Sequence, residues 1–147
     1  MTEVESASGA DITAAQLYDV LRLRVNVFIV EQECPYPELD GQDLLPTTRH
    51  FWLPGKDDTE LAGCLRVLAG ADGVLRVGRV ATSDAARGTG AGARLMEAVV
   101  DHIGAAESVL GAQTYATGFY ARFGYAPEGA EYDEDGIPHI TMRRPAR

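Results

Sequence analysis

The amino-acid sequence predicts a single α+β domain in which helices flank a mixed, mostly antiparallel β-sheet. The first half of the chain holds consecutive strand-like segments joined by turn signals, which predict antiparallel pairing. A strand, a glycine-rich loop, a helix and another strand follow, and this order predicts one parallel pair. The length of 147 residues suits one packed core, so we assign residues 1–147 to one domain and expect residues 1–10 to be loosely ordered.

The first predicted helix begins at Thr13. Thr13 and Gln16 have the spacing of a capping box, in which both side chains accept hydrogen bonds from backbone amides at a helix start. Apolar residues then recur at helical spacing towards Phe28. Prolines in the segment Cys34-Pro35-Tyr36-Pro37 predict an extended loop after this helix.

Three strands are predicted in the following segment, over residues 50–53, 61–68 and 74–81. A polar cluster joins the first two strands, and an Asp-Gly pair joins the second to the third. The joining residues are Gly55, Lys56, Asp57 and Asp58 in the first turn, and Asp72 and Gly73 in the second. Short turns of this kind predict that the three strands are antiparallel.

A strongly amphipathic helix is predicted after the glycine-rich loop. Leu95, Val99 and Ile103 repeat every four residues, and a charged face lies opposite them. The strand Ser108–Gln113 follows this helix. Because a helical crossover returns the chain in the same direction, we expect this strand to lie parallel to the one that ends at Ala81.

The end of the chain is predicted to form a short helix and a hairpin. Phe119 and Phe123 are four residues apart, and Gly124 suits the left-handed end of a helix. Strands over residues 125–132 and 137–142 flank an acidic turn, whose Asp-Gly pair favours a hairpin.

The composition excludes several classes of partner. The net charge of -9 repels nucleic acid and anionic membrane surfaces. No apolar run approaches the roughly 20 residues of a membrane span, and Glu3 and Glu5 stand where a signal peptide has basic residues, so we expect a cytoplasmic protein. Cys34 and Cys64 are too few for a disulfide scaffold and lack the spacing of metal ligands, which predicts reduced thiols and no metal.

The loop Arg87-Gly88-Thr89-Gly90-Ala91-Gly92 carries the clearest functional signal. Unpaired amides and the positive end of the dipole at a helix start form a site for a pyrophosphate. One alternative is a glycine-rich turn without a ligand. Another is a dinucleotide site, since residues 88–93 match G-x-G-x-x-A. Three preceding strands, and the lack of an acidic residue at the end of Ser108–Gln113, count against the dinucleotide site.

Two ordered motifs resemble the GNAT superfamily of N-acetyltransferases. The loop matches R/Q-x-x-G-x-G/A at every fixed position, and Phe119-Tyr120-Ala121-Arg122-Phe123-Gly124-Tyr125 is similar to the F-Y-x-x-x-G-F/Y segment. Val27-Phe28-Ile29-Val30-Glu31-Gln32 and Cys34-Pro35-Tyr36 resemble the bacterial ElaA-like branch of this superfamily. The similarity extends over residues 17–143.

The resemblance implies a GNAT fold, whose parallel strand pair splays apart to admit the arm of acetyl-CoA. It implies transfer of the acetyl group to an amine of a small molecule or peptide, with acetyl-CoA as co-substrate and no metal. A homodimer is left open as a further partnership. The implied cofactor-binding residues are Val80, Ala81, Thr82, Arg87, Gly88, Thr89, Gly90, Ala91, Gly92 and Gln113.

Three residues are candidates for the chemistry. The resemblance implies that Tyr120 protonates the leaving thiolate. A general base is not part of either motif, and Glu31 and His139 are the two candidates. Glu31 follows an apolar run that is expected to bury its surroundings, and it is either the base or a structural carboxylate. Asp40 and Asp43 lie in the long loop, either in the acceptor pocket or as solvated charges. A sensor that binds acyl-CoA without turnover, and a nucleotide-dependent oxidoreductase, are the rival functions.

Overall fold

The computed structural model of the chain describes residues 3–56 and 60–147, so Asp57 and Asp58 of the predicted turn lie outside it. The strands of the described part are β1 (Glu5–Ser8), β2 (Arg49–Leu53), β3 (Gly63–Ala69), β4 (Leu75–Thr82), β5 (Ser108–Gln113), β6 (Ala126–Glu134) and β7 (Ile137–Arg144). The α-helices are α1 (Ala14–Arg24), α2 (Ala91–Ile103) and α3 (Thr117–Ala121), and a π-helical segment, Val25–Glu31, continues α1.

The strands form one mixed sheet in the order β1-β2-β3-β4-β5-β7-β6. Every neighbouring pair is antiparallel except β4 and β5, which are parallel and joined by α2. This arrangement confirms the predicted fold class of a mostly antiparallel sheet with one parallel pair. It also confirms the final hairpin, which turns at Asp135 and Gly136.

The expectation that the first ten residues are loosely ordered is wrong for β1. Glu5 pairs with Trp52 and Ser8 with Arg49, so β1 extends the sheet along β2. The sequence Glu-Ser-Ala-Ser has neither alternating apolar residues nor strong β-formers. Backbone hydrogen bonds to the exposed edge of β2 therefore form a strand that side-chain patterns do not reveal.

The capping box at the start of α1 is confirmed. The amide of Gln16 donates to Thr13 Oγ1 at 3.1 Å, and the amide of Thr13 donates to Gln16 Oε1 at 3.0 Å. The helical path then extends beyond Phe28 to Glu31 as a π-helix. At the other end of the chain α3 ends at Ala121, although the chain reverses as expected near Gly124, whose φ is 93°.

Two cores hold the helices against opposite faces of the sheet. Leu95, Met96 and Val99 of α2 are fully buried on one face, where α3 also packs. Leu23 of α1 packs on the other face together with the fully buried Cys64. Within the described ranges 3–56 and 60–147, no helix is long and apolar enough to span a membrane.

β4 and β5 pair only over their first three residues. Leu75–Val77 lies beside Ser108–Leu110, and beyond Val77 and Leu110 the two strands have no paired residues. β4 nevertheless continues to Thr82. The far half of β4 therefore presents an unpaired backbone edge towards β5, which confirms the splayed pair that the resemblance implies.

A β-bulge lies where the two strands separate. Gly78 of β4 pairs with Arg66 of β3, but Ala81 pairs with Cys64, so β4 holds one extra residue between these pairs. Arg79 lies in this bulge with a left-handed φ of 52°. Because a bulge bends its own strand and increases the local twist, it turns the end of β4 away from β5.

Six charged side chains form a cluster beside the bulge, which we call the ion cluster. Its members are Arg24, Arg66 and Arg79 with Glu38, Asp40 and Asp43. Arg24 donates from Nε to Glu38 Oε2 at 2.6 Å and from Nη1 to Asp43 Oδ1 at 2.7 Å. Arg66 donates to Asp43 at 2.9 Å and to Asp40. The cluster thus joins the loop after α1 to α1, β3 and β4.

The alternative of a solvated charge is wrong for Asp43, and Asp40, although exposed, is also paired with an arginine. Asp43 is only 6% exposed, and both carboxylates are bound by arginines. Burial alone would raise the pKa of Asp43, but the hydrogen bonds and charges of Arg24 and Arg66 outweigh it and lower the pKa. Arg66 likewise lowers the pKa of Asp40 far below its usual range. Both residues hold the loop in place.

We predict that Asp43→Asn lowers the free energy of unfolding by about 3 kcal/mol at pH 7, because it removes one of the two carboxylate partners of each of two buried arginines, Arg24 and Arg66. A carboxyl with a lowered folded-state pKa stabilises the protein above its unfolded pKa of about 3.9, and this stability is lost as pH falls below it. The difference between wild type and Asp43→Asn should therefore shrink in acid. Urea unfolding at pH 7 and at pH 3 measures both effects.

Asp72→Asn is the matched control. Asp72 also pairs with an arginine, Arg76 at 3.1 Å, but both side chains are 53% exposed. An exposed ion pair is screened by water, so this variant should unfold like the wild type. Equal unfolding curves for the two variants at pH 7 would show that the ion cluster does not stabilise the fold.

Candidate active site

A cavity of about 450 Å³ opens where β4 and β5 separate. One wall is the end of β4 and the opposite wall is the end of β5. The π-helical segment and the turn between β6 and β7 line other sides. The cavity brings together the three predicted catalytic residues, Glu31, Tyr120 and His139, which are far apart in sequence.

The predicted cofactor-binding residues extend from this cavity to the start of α2. Those that line the cavity are Val80, Ala81, Thr82, Arg87 and Gln113. Those that continue into the first turn of α2 are Gly88, Thr89, Gly90, Ala91 and Gly92. The first hydrogen bond of the helix is donated by Arg94 N to Gly90 O at 3.1 Å, so helix geometry leaves the amides of residues 91–93 without a partner in the helix. Such amides form an anion site.

The three glycines of the loop differ in their backbone conformation and in their surroundings. Gly88 and Gly90 have φ angles of 78° and 86°, which side-chain-bearing residues rarely adopt. A Cβ at either position would meet no atom within 4 Å, so the loop surface beside them is open. Gly92 is different, because a Cβ there would lie 3.4 Å from the ring of Phe119. That distance is an ordinary van der Waals contact, so α2 packs closely on α3 here but would accept a small side chain.

Arg87 is held beside the cavity by three oxygen partners. Its guanidinium donates to Glu31 Oε2 at 2.5 Å, to Thr82 O at 3.2 Å and to Asp84 at 3.4 Å. These contacts aim a cation at the boundary between the cavity and the amides of α2. Arg87 therefore lies where a charge-assisted contact with a phosphate was predicted.

Tyr120 lines the cavity from α3 and is 9% exposed. Burial, with smaller effects from Tyr115 and Tyr125, raises the pKa of Tyr120 to about 12. Its phenol is therefore protonated at neutral pH and can donate a proton to an anion that forms in the cavity. Tyr115 also lines the cavity but is 85% exposed.

Glu31 lies in a different environment from the one that its sequence suggests. The apolar run before it implied buried surroundings, but the last turn of the π-helical segment leaves its side chain 42% exposed. Its carboxylate binds Arg87 at 2.5 Å. The expectation of burial is therefore wrong, and Glu31 acts as the charge partner of a loop arginine.

His139 is better placed for proton transfer. Its ring is largely buried, and Nδ1 lies 2.7 Å from the carbonyl oxygen of Ile137. A proton on Nδ1 that donates to this carbonyl leaves a lone pair on Nε2. Nε2 lies 3.4 Å from Glu134 Oε2, and the ring stacks on Tyr132. The geometry thus fixes the ring and gives it a carboxylate neighbour at the cavity.

Several cavity residues were not predicted as site residues from the sequence. Phe28, Tyr36, Arg79 and Glu134 all line the cavity. Arg79 carried a usable signal, since a charged residue interrupts the apolar run of its strand. The others gave none, because their places depend on how the loop after α1 and the final hairpin fold over the sheet.

A family model described as an acetyltransferase (GNAT) domain matches residues 36–145. The chain belongs to this GNAT family. It is 48% identical over 138 residues to a UPF0039 protein of Mycobacterium tuberculosis, which covers 92% of this chain and 88% of the relative. It is 41% identical over 150 residues to the protein ElaA of Escherichia coli, which covers 98% of this chain and 97% of the relative.

Solved structures of GNAT proteins have the same fold. An acyl-CoA N-acyltransferase from Pseudomonas aeruginosa has a TM-score of 0.91 and 39% identity, covering 98% of this chain and 99% of that one. Escherichia coli ElaA has a TM-score of 0.88 and 39% identity with the same coverage, 98% and 99%. These similarities confirm the resemblance to the ElaA-like branch and support an acyltransferase activity.

A GNAT fold implies an acyl-CoA co-substrate, and the residues present fit one. The unpaired edge of β4 offers backbone donors and acceptors to an extended amide chain, as a missing strand would. The free amides at the start of α2 and the cation of Arg87 suit a pyrophosphate at the end of that chain. The two features lie next to each other, as the two parts of CoA require.

We predict that Gly90→Val raises the dissociation constant of CoA at least about 10-fold, which corresponds to 1.4 kcal/mol. The reason is that the branched side chain would occupy the open space beside the loop amides at a left-handed φ. Isothermal titration calorimetry with CoA measures this loss.

Gly73→Val is a control with the same backbone strain. Gly73 has a φ of 80° and, like Gly90, open space around the position of a Cβ, but it lies in the turn between β3 and β4. Both variants should lose stability, and only Gly90→Val should lose CoA affinity. Equal CoA affinities in the two variants would contradict a phosphate site at this loop.

Proposed function

We propose that this chain transfers the acetyl group of acetyl-CoA to a primary amine of a small molecule or peptide in the cytoplasm. The observation that carries the proposal is the separation of β4 from β5 into a cavity that both Tyr120 and His139 line. A proton donor and a proton acceptor thus flank the place where the thioester of a bound acetyl-CoA would lie. This pair of groups is what attack of an amine on a thioester requires.

The proposed reaction needs no covalent intermediate on the protein. The amine nitrogen attacks the thioester carbonyl carbon and a C–N bond forms. A backbone amide in the far part of β4, residues 80–82, donates to the carbonyl oxygen as its negative charge develops. The C–S bond then breaks, and the leaving thiolate takes a proton from Tyr120. The nitrogen of the new amide loses its extra proton, which returns through water to the Tyr120 phenolate. Because the thiolate forms in a partly buried cavity, its neutral form is favoured.

We assign the general base to His139 rather than to Glu31. The ammonium form of the substrate must lose a proton before attack. His139 offers a lone pair on Nε2 at the cavity, whereas Glu31 is committed to Arg87 at 2.5 Å. Glu134, beside His139 Nε2 and without an arginine partner among the described residues, adds a negative charge that favours a cationic amine.

A turnover assay tests the proposal. Purified protein with acetyl-CoA and a panel of amines and peptides should release free CoA thiol, detected with a thiol reagent. Tyr120→Phe should bind acetyl-CoA within about 2-fold of wild type but react about 100-fold more slowly, because the proton donor is lost. The control is Tyr18→Phe, which removes an exposed hydroxyl on α1.

The rival function is an acyl-CoA sensor without turnover. Tight binding of acetyl-CoA with no thiol release across the panel would favour the sensor. Equal turnover of Tyr120→Phe and wild type would instead remove Tyr120 from the chemistry. Stabilisation by a nicotinamide cofactor and not by acetyl-CoA in a thermal-shift measurement would favour the oxidoreductase.

We predict that His139→Gln lowers kcat by about 10-fold to 100-fold, since glutamine keeps a polar side chain but cannot take up the proton. Glu31→Gln, which removes one charge and no bulk, should reduce kcat much less. Steady-state kinetics on the best amine of the panel measures both. The opposite order of the two losses would move the base to Glu31.

A further inference from the structure

Arg79 has an unusual backbone for its place in the sheet. Its φ of 52° is left-handed, and among the described residues it is the only residue other than glycine with such a φ inside a strand. A bulky side chain is unfavourable in this conformation, which persists only where the surroundings impose it. The strain lies one residue before Val80, at the start of the edge that faces the cavity.

The side chain of Arg79 supplies that constraint. Its Nε donates to Glu38 Oε2 at 2.9 Å, and its Nη2 donates to the carbonyl oxygen of Glu38 at 3.4 Å. A weaker contact joins Nη2 to Asp40 at 3.5 Å. The guanidinium also lies over the ring of Tyr36, 5.5 Å from its centre. A planar fork with partners on several sides has little freedom to turn.

Glu38 is a firm anchor for this fork. It is 5% exposed and accepts a second hydrogen bond from Arg24 Nε at 2.6 Å. Its other oxygen accepts a hydrogen bond from the hydroxyl of Tyr36 at 2.6 Å. Both carboxylate oxygens of Glu38 are buried and hydrogen-bonded, so the side chain is fixed relative to the loop after α1. The position of this loop therefore sets the position of the Arg79 side chain.

We propose that Arg79 is a positioning residue, whose clamp on Glu38 holds the β4 bulge in the shape that directs the backbone of residues 80–82 towards the thioester. This proposal rests on the proposed function. It links two parts of the site that share no backbone pairing, because Tyr36 of the loop after α1 and residues 80–82 of β4 both line the cavity. One side chain thus sets the position of both the loop after α1 and the thioester site.

The expected consequence is a loss in rate rather than in binding. Arg79 has Glu38 and Asp40 as its partners rather than the pyrophosphate site at the start of α2, so we expect most of the CoA affinity to be retained. The carbonyl-binding amide must be placed within a fraction of an ångström, and a displacement of about 1 Å can reduce the rate about 100-fold. Arg79→Ala should therefore lower kcat by about 10-fold to 100-fold and change the dissociation constant of CoA by less than about 3-fold.

Arg79→Gly separates the strained backbone from the clamp. Glycine adopts a left-handed φ without strain, so the bulge keeps its shape more often than in Arg79→Ala. We expect kcat to follow the order wild type, Arg79→Gly, Arg79→Ala. The control on the same strand is Arg76→Ala, whose side chain is 53% exposed and points to a turn aspartate, and it should keep the wild-type kcat.

Three results of the kinetic and binding measurements would overturn the proposal. One is a wild-type kcat in Arg79→Ala, and another is a parallel loss of kcat and CoA affinity. If Arg79→Ala does not fold, Arg79→Lys is used instead, because lysine keeps the charge but lacks the planar guanidinium with its several donors. A wild-type kcat in folded Arg79→Lys would be the third overturning result.

Hydrogen exchange of β4 tests the clamp without turnover. Amides 77–82 should exchange faster in Arg79→Ala than in wild type, while those of β2 should not change. If the wild type acetylates no amine but this difference appears, the proposed function fails and the clamp stands. Unchanged exchange of β4 would reject the clamp whatever the activity.

Discussion

The ion cluster is the constraint on which the geometry of the active site depends. Three arginines meet three carboxylates, and Arg24, Arg66, Glu38 and Asp43 are almost fully buried. Taking each such charge out of water costs several kcal/mol, and only pairing with an opposite charge offsets this cost. Few arrangements of the six side chains pair every charge, so the geometry of the cluster is tightly constrained. Residues 32–48 form no helix or strand and are held mainly by these pairs. Ion pairs, rather than the backbone hydrogen bonds of a helix or strand, thus hold this part of the fold.

This constraint reaches the sheet through β4. The hydrophobic core fixes the first half of β4 through Val77, and pairing of Ala81 with Cys64 returns the strand to β3 after the bulge. The extra residue of the bulge lies between these two fixed points. The ion cluster determines the backbone conformation of the bulge, because it binds the side chain of Arg79. The hydrophobic core therefore holds the sheet in place, while the ion cluster sets the local bend of β4 that separates it from β5.

Local signals were sufficient to predict most of the fold. The capping box of Thr13, the period of α2 and the Asp-Gly turn before Ile137 each depend on neighbouring residues, and each was confirmed. β1 was missed because its pairing with β2 is distant in sequence and involves no apolar pattern. The clamp between Glu38 and Arg79 joins residues 41 positions apart, a relation that no local pattern contains.

The same distinction explains which site residues the sequence could identify. Backbone motifs at the start of α2 are local, so the cofactor loop was recognisable, whereas the role of a carboxylate depends on its partners in space. Asp40 and Asp43 suggested a pocket for a cationic acceptor, yet their charges are neutralised by arginines within the fold. A carboxylate that is bound by two arginines of its own fold has no charge left to select a cationic substrate. We therefore expect acceptor selectivity to depend on the side of the cavity that carries Glu134 and His139, whose position depends on the final hairpin.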